Sequence, residues 1–271
     1  MKKILFVAAV LAFAVSCSQS KAPKILVLYY SQSSTTEAVA REISNRLGAD
    51  MEKIVPVTPY DGTYQETIER SRKEREEGIL PELQPLESDI RSYDIIFLGY
   101  PIWYGTYAVP MSTLLNTVDL SGKKVVPFCT FGSGGLESST RDLKEKLTGA
   151  EILPGYGVRS ARIDAAPAEI DRFLKQGGFI EGEVEKYEEF PEMHQASDEE
   201  AAIFDAAVGG YPMINAKAEK ASSRAVSGGT EYLFEARDIP RNPEQENMAG
   251  TMKVYVLAMD GQDPVFTRVV R

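Results

Sequence analysis

Residues 24–30, Lys-Ile-Leu-Val-Leu-Tyr-Tyr, are an apolar run without alternation. A strand with one wet face alternates polar and apolar side chains. A strand buried on both faces does not, and such strands belong to parallel sheets sandwiched between helices. Further strand signals fall at 51–57, 95–99, 124–129 and 151–158. Helical patterns lie between them: Val39, Ile43 and Leu47 on one face, a charged stretch over 65–77, a helix start over 110–115, and a helix carrying Leu143 and Leu147. A last helix covers 166–175, with Asp164 near its start and Pro167 in its first turn. Five alternations of this kind predict an α/β, doubly wound, five-stranded parallel sheet over residues 24–180. Ligands of such sheets sit outside the carboxyl ends of the strands, where the strand order switches.

Three unusual loops follow strands and therefore share that edge. The first, Ser31, Gln32, Ser33, Ser34, Thr35 and Thr36, places hydroxyls and backbone N–H groups at a helix start, an arrangement suited to an anion. No Lys or Arg lies between Ile25 and Ala40, so it is not a nucleoside-triphosphate loop, and a small phosphate monoester fits neutral donors better. An ordinary N-cap cluster is the plainer reading. The second loop, Pro101, Ile102, Trp103, Tyr104 and Gly105, holds the only Trp of the chain; its plainer reading is an aromatic lid over the core. The third, Thr130, Phe131, Gly132, Ser133, Gly134 and Gly135, lets the backbone approach a flat ligand, or is a flexible turn. Together the three suit one ligand with a phosphate tail and a planar ring.

Residues 24–176 resemble the flavodoxin family, in particular a bacterial envelope-associated branch. The resemblance rests on residues 30–36 (Tyr-Ser-Gln-Ser-Ser-Thr-Thr), 99–105 (Gly-Tyr-Pro-Ile-Trp-Tyr-Gly) and 127–135 (Pro-Phe-Cys-Thr-Phe-Gly-Ser-Gly-Gly). It implies non-covalent FMN, with Ser31, Ser33, Ser34, Thr35 and Thr36 at the phosphate. Residues 101–105 and 130–135 then flank the isoalloxazine, and electrons pass to a redox partner protein or small molecule. The family usually has Gly where Ser34 stands.

Residues 181–194 carry six Glu and one Lys, and 181–196 read as an acidic linker. From Ser197 the texture changes to one short helix (199–208) and alternating segments at 213–225, 231–236, 252–259 and 265–270, a small α+β module over 197–271. Tyr211-Pro212 and residues 223–232 resemble a cystatin-like fold. Arg224 replaces the Gln of the inhibitory Gln-x-Val-x-Gly hairpin while Val226 and Gly228 remain, and the later Pro-Trp hairpin is missing. A structural or partner-binding role is implied rather than protease inhibition.

The N-terminus has the plan of a processing signal: Lys2 and Lys3, an apolar run over 4–15, then Ala14-Val15-Ser16-Cys17. This resembles a bacterial lipobox, with residues 1–16 removed, Cys17 lipidated and 17–23 a tether. The expected location is the cell envelope, lipid-anchored, at the outer membrane or periplasmic face. Removing residues 1–16 takes two lysines and moves the net charge from −10 to −12. So acidic a chain argues against nucleic acid, whose affinity comes from Lys and Arg neutralising phosphates. The single His194 excludes multi-His metal sites, and two cysteines exclude a disulfide framework. No catalytic side-chain constellation stands out, which agrees with chemistry carried by a cofactor. The alternatives are a nicotinamide-dependent quinone or flavin reductase, and a flavin-free scaffold that binds partners through its C-terminal module.

Overall fold

The computed structural model describes residues 22–240 and 250–271. The expected signal segment and Cys17 lie outside the described residues. Among those described, no helix is long and apolar enough to cross a membrane.

The chain runs β1 (Ile25–Tyr29), α1 (Thr35–Leu47), β2 (Asp50–Lys53), α2 (Tyr64–Glu77), β3 (Ile95–Trp103), β4 (Thr106–Tyr107), α3 (Val109–Thr117), β5 (Lys124–Phe131) and α4 (Leu136–Lys146). It continues with β6 (Glu151–Ile152), β7 (Tyr156–Arg159) and α5 (Ala166–Gln176). The parallel order is β2-β1-β3-β5, followed by β6 and β7 alongside β5. The chain steps outward from β1 to β2, then crosses to β3 on the other side, so the switch point lies between β1 and β3.

Successive side chains of a strand point to opposite faces, and here they feed two cores. Leu26, Leu28, Ile96 and Leu98 meet Met111 and Leu114 of α3 and Leu143 of α4. Val27, Tyr29, Phe97 and Val126 meet Val39 and Ile43 of α1 and Ile170 and Leu174 of α5. This is the doubly wound sheet predicted from the unalternated apolar runs.

Two strands are shorter or more broken than expected. β2 ends at Lys53, and Pro56 instead makes an isolated antiparallel bridge to Leu83, with Val57 donating to the Glu82 carbonyl. The expected strand over 151–158 splits at Leu153, Pro154 and Gly155. Val125 pairs Ile152 and Phe128 pairs Tyr156, so these three residues face only Val126 and Pro127. Neither proline has an N–H to give the ladder, which favours a break there.

The second unit comprises β8 (His194–Gln195), α6 (Asp198–Val208), β9 (Ala216–Val226), β10 (Gly229–Asp238), β11 (Thr251–Met259) and β12 (Val265–Val270). Its antiparallel order is β12-β11-β10-β9-β8. Phe204 and Val208 of α6 pack on Phe234, Val254, Val256 and Phe266, and a Ser197–Glu200 capping box starts the helix. The end of the acidic stretch is not a linker: His194 and Gln195 pair with Ala221 and Lys220, and Pro191 accepts a hydrogen bond from Ser222. His194 is exposed and faces the Glu200 carboxylate at 3.0 Å.

Candidate functional site

The three post-strand loops converge at the carboxyl edge of β1, β3 and β5, but they use their residues differently. In the first loop Ser34 takes the left-handed conformation, φ 63°, at the start of α1. Its side chain caps nothing. Ser33 and Ser34 are exposed, and Ser33 Oγ lies 3.3 Å from Thr35 Oγ1. Among the described residues the N–H groups of Ser33, Ser34, Thr35 and Thr36 donate to no protein acceptor. These donors sit at the positive end of a 13-residue helix, the local field an anion requires.

Ser31 and Thr36 are placed differently from the expectation. Both are buried; Ser31 Oγ accepts from the Glu37 N–H at 3.2 Å, and Thr36 Oγ1 lies 2.8 Å from Thr130 Oγ1. Their hydroxyls shape the loop from beneath, leaving Ser33, Ser34 and Thr35 as its accessible side-chain donors. Glu37, the nearby acid, is turned onto Arg41 and Lys53.

The second loop is a hairpin. Ile102 pairs with Tyr107 and Trp103 with Thr106, leaving Tyr104 and Gly105 as a two-residue turn with φ 53° and 81°. Positive φ at both central residues is the demand of a type I′ turn, which explains the glycine at 105. Tyr104 is tied to α2, its hydroxyl 2.9 Å from the Ile68 carbonyl, and Arg75 donates to the Tyr104 carbonyl at 3.0 Å.

Trp103 is half-buried in an aromatic group that sequence reading did not assemble. It meets Tyr30 and Tyr60 edge-on, at 5.8 and 5.3 Å between ring centres. Tyr60 donates to the buried Glu74 carboxylate, which also receives Arg70 at 2.8 Å, and Arg70 stacks over the Tyr60 ring at 3.8 Å. Burial, reinforced by Glu74, pushes the Tyr60 phenol up, and burial does the same to Tyr30. Both stay protonated at physiological pH. A cleft of about 440 Å³ opens beside the hairpin, lined by Arg75, Ile79, Tyr107, Asp142 and Lys146 among others, but none of the expected site residues lines it.

The third loop revises the expected role of its glycines. A Cβ on Gly134 would stand 2.0 Å from the Val269 carbonyl, and one on Gly132 would stand 2.7 Å from the Tyr211 hydroxyl. The close approach they permit is made by the C-terminal module. Val269 N–H donates to the Ser133 carbonyl at 2.7 Å, and Arg159 donates to Gly132 and Phe266 carbonyls at 2.8 and 2.9 Å. Arg159 went unnoticed in the sequence, where a single Arg ending a strand gives no signal. Gly135 opens α4. Thr130 and Phe131 are buried, Thr130 against Thr36.

Cys129, in the strand below, is buried, and burial pushes its thiol well above the ordinary value. Among the described residues no His, Cys, Asp and Glu group could hold a metal ion.

An anion-ready helix start, an aromatic hairpin and a backbone-rich loop gathered at the carboxyl edge of a parallel sheet define an open, doubly wound α/β protein. Residues 24–166 match the flavodoxin family model, more than half of the chain, and the chain belongs to the flavodoxin family.

Among solved structures, a putative flavoprotein from Bacteroides uniformis is 25% identical over 56% of this chain and 99% of its own, with a TM-score of 0.50. A putative flavoprotein from Bacteroides eggerthii is 29% identical over 55% and 98%, with a TM-score of 0.47. A Lactobacillus acidophilus flavoprotein, in complex with FMN, is 25% identical over 57% and 100%, with a TM-score of 0.48. No curated protein matches the chain.

Proposed function

We propose that this protein binds FMN non-covalently and carries electrons through it, as a lipid-anchored component of a bacterial envelope. The observation that carries this reading is the set of unpaired N–H donors at 33–36, placed beside a Trp-bearing hairpin at the switch point. Membership of the flavodoxin family supports it.

The residues fit the group. Ser33, Ser34 and Thr35 offer hydroxyls, and the adjoining N–H groups offer dipoles aligned with α1, so a dianionic phosphate is held without a cationic side chain. Trp103 offers an aromatic face next to that cradle, and the backbone of 132–135 offers a second wall. When bound, FMN supplies the electron-transfer chemistry, while the protein supplies binding, orientation and electrostatics. Tyr30 and Tyr60, held protonated, keep the wall behind Trp103 neutral. The C-terminal module, cystatin-like in our reading, has a structural or partner-binding role; the Arg224 that replaces the inhibitory Gln is held by Glu231 at 2.6 Å and by the Glu188 carbonyl at 2.9 Å.

Titrating apoprotein with FMN and with riboflavin tests this. Trp103 is the sole Trp, so its emission reports directly. FMN is expected to quench it and to bind at least about tenfold more tightly than riboflavin, the worth of a charge-assisted hydrogen bond. Equal affinity for both flavins removes the phosphate assignment, and no binding of either removes the reading.

A further inference from the structure

The C-terminal module touches the flavodoxin-like unit at one place above all, and that place is the third loop. Four contacts line up along it. β12 gives the Val269 N–H to the Ser133 carbonyl at 2.7 Å, and Arg268 reaches Glu137, in the first turn of α4, at 3.3 Å. Phe266 gives its carbonyl to Arg159 at 2.9 Å and its ring to the same guanidinium, 3.3 Å from the ring centre. Tyr211 packs against the Phe266 ring, 5.2 Å between ring centres, beside that guanidinium and with its hydroxyl over Gly132. Arg159 is itself buried, and its Nε–H donates to the Gly132 carbonyl at 2.8 Å.

The sequence of the loop is written for this contact. Any side chain at 134 would collide with Val269, as the 2.0 Å separation shows. A short glycine-rich loop has little reason of its own to hold one conformation, since glycine leaves the backbone its widest freedom. Here the module's Val269 holds the carbonyl at 133, and Arg159 of β7, itself held by the module's Phe266 carbonyl, holds the one at 132. Its opposite side, continuous with Ile102 through Gly135, faces the hairpin.

We propose that the C-terminal module is a working part of the flavin site: β12 and Arg159 hold residues 132–135 in the conformation that meets the ring. This rests on the FMN reading above. Arg159 is a positioning residue, acting through the loop. The module therefore governs ring affinity and leaves phosphate affinity alone.

Val269→Pro in the full chain removes the one N–H given to Ser133. β12 is an edge strand and this N–H points away from β11, a position where proline is tolerated. Arg159→Gln removes the guanidinium clamp, and Arg159→Lys keeps its charge with fewer donors. Val269→Pro and Arg159→Gln are expected to weaken FMN and riboflavin by the same factor, about five- to tenfold for a lost hydrogen bond or two. The FMN-to-riboflavin ratio then stays at the wild-type value, whereas Ser33→Ala lowers the ratio. Arg159→Lys recovers part of the loss.

Limited proteolysis of the apoprotein supplies an arm that needs no flavin. The loop at 132–135 is expected to be cut faster in Val269→Pro while the core strands stay resistant. If folded Val269→Pro and Arg159→Gln proteins keep wild-type flavin affinities, or if cleavage at 132–135 does not change, the proposal is overturned. If wild-type protein binds neither flavin, the FMN reading fails and the proteolysis arm alone decides the bracing. Should Val269→Pro lose its far-ultraviolet circular dichroism, the Arg159→Gln and Arg159→Lys pair carries the same comparison.

Discussion

Thr36 Oγ1 and Thr130 Oγ1 lie 2.8 Å apart in the buried seam between the start of α1 and the end of β5, joining two of the three site loops across 94 residues of sequence. Each hydroxyl has the other as partner, so removing one strands its mate in the core. Thr36→Val and Thr130→Val are each expected to cost about 1–3 kcal/mol, and the double variant less than the sum. Urea unfolding of the four proteins measures the coupling. Strict additivity would show that the pair does not interact.

Ser34 stands at φ 63°, where a β-carbon is crowded and glycine is not. The family's usual glycine at this position is therefore explained by backbone geometry, and serine keeps the same turn. Ser34→Gly is expected to stabilise by about 0.5 kcal/mol, the relief of strain exceeding the added freedom of the unfolded chain. Ser34→Val, β-branched, is expected to lose about 1–2 kcal/mol. Thermal melts of the apoprotein decide; a more stable valine variant would contradict the geometry.

Trp103 and its neighbours predict two separable effects. Trp103→Ala removes an aromatic contact worth about 0.5–1.5 kcal/mol, and FMN affinity should fall by about tenfold or less. Tyr60→Phe instead takes a donor from the buried Glu74 carboxylate and should cost about 1.5–3 kcal/mol of stability. Chemical denaturation and flavin titration of both variants separate the two roles.

Acid sensitivity follows from the helix starts. Hydrogen bonds from the Thr63 backbone and hydroxyl hold the Glu66 carboxyl below its ordinary 4.5. Burial works to raise Glu200, but the Ser197 N–H and hydroxyl, with His194, outweigh it and leave that carboxyl lowered too. A carboxyl lowered on folding adds stability above its unfolded value, and that stability is lost as pH falls through the folded value. The melting temperature should therefore drop below about pH 4.5, and more shallowly in Glu66→Gln and Glu200→Gln. Melts between pH 7 and 3 check this; parallel curves for wild type and variants would refute it.

The proposed anchor rests on residues 14–17, Ala-Val-Ser-Cys. Cys17→Ser is expected to leave the membrane fraction, or to remain an uncleaved precursor. Fractionation with mass measurement checks it, and a mature, lipidated variant still on membranes would rule the anchor out.

The sheet was legible because burial on two faces leaves a clear mark: residues 25–30 and 95–98 are apolar throughout, as strands of a parallel sheet between helices are. The three loops were legible because their composition departs from the strands and helices around them. The accessible Ser33, Ser34 and Thr35 sit at the helix start that composition implied, whereas residues 101–103, expected in a loop, extend β3 into a hairpin. Which hydroxyls face solvent was not legible, since Ser31 and Thr36 are chemically the same as their neighbours and differ only in direction. The break at Pro154 was within reach, as proline's missing N–H is a local property.

What no local property contains is contact between distant segments. Tyr60 meets Trp103 across 43 residues, and Arg159 meets Phe266 across 107. Single residues at such separations leave no periodicity to read. By itself the amino-acid sequence determined the layers of the first unit, the edge on which its loops gather and the residue types they offer, because those follow from periodicity, turn chemistry and burial. Only the tertiary structure decided which donors stay open, what stands behind Trp103, and that the glycines at 132 and 134 receive Tyr211 and β12 of the second module, because direction and long-range packing are set by the whole folded chain.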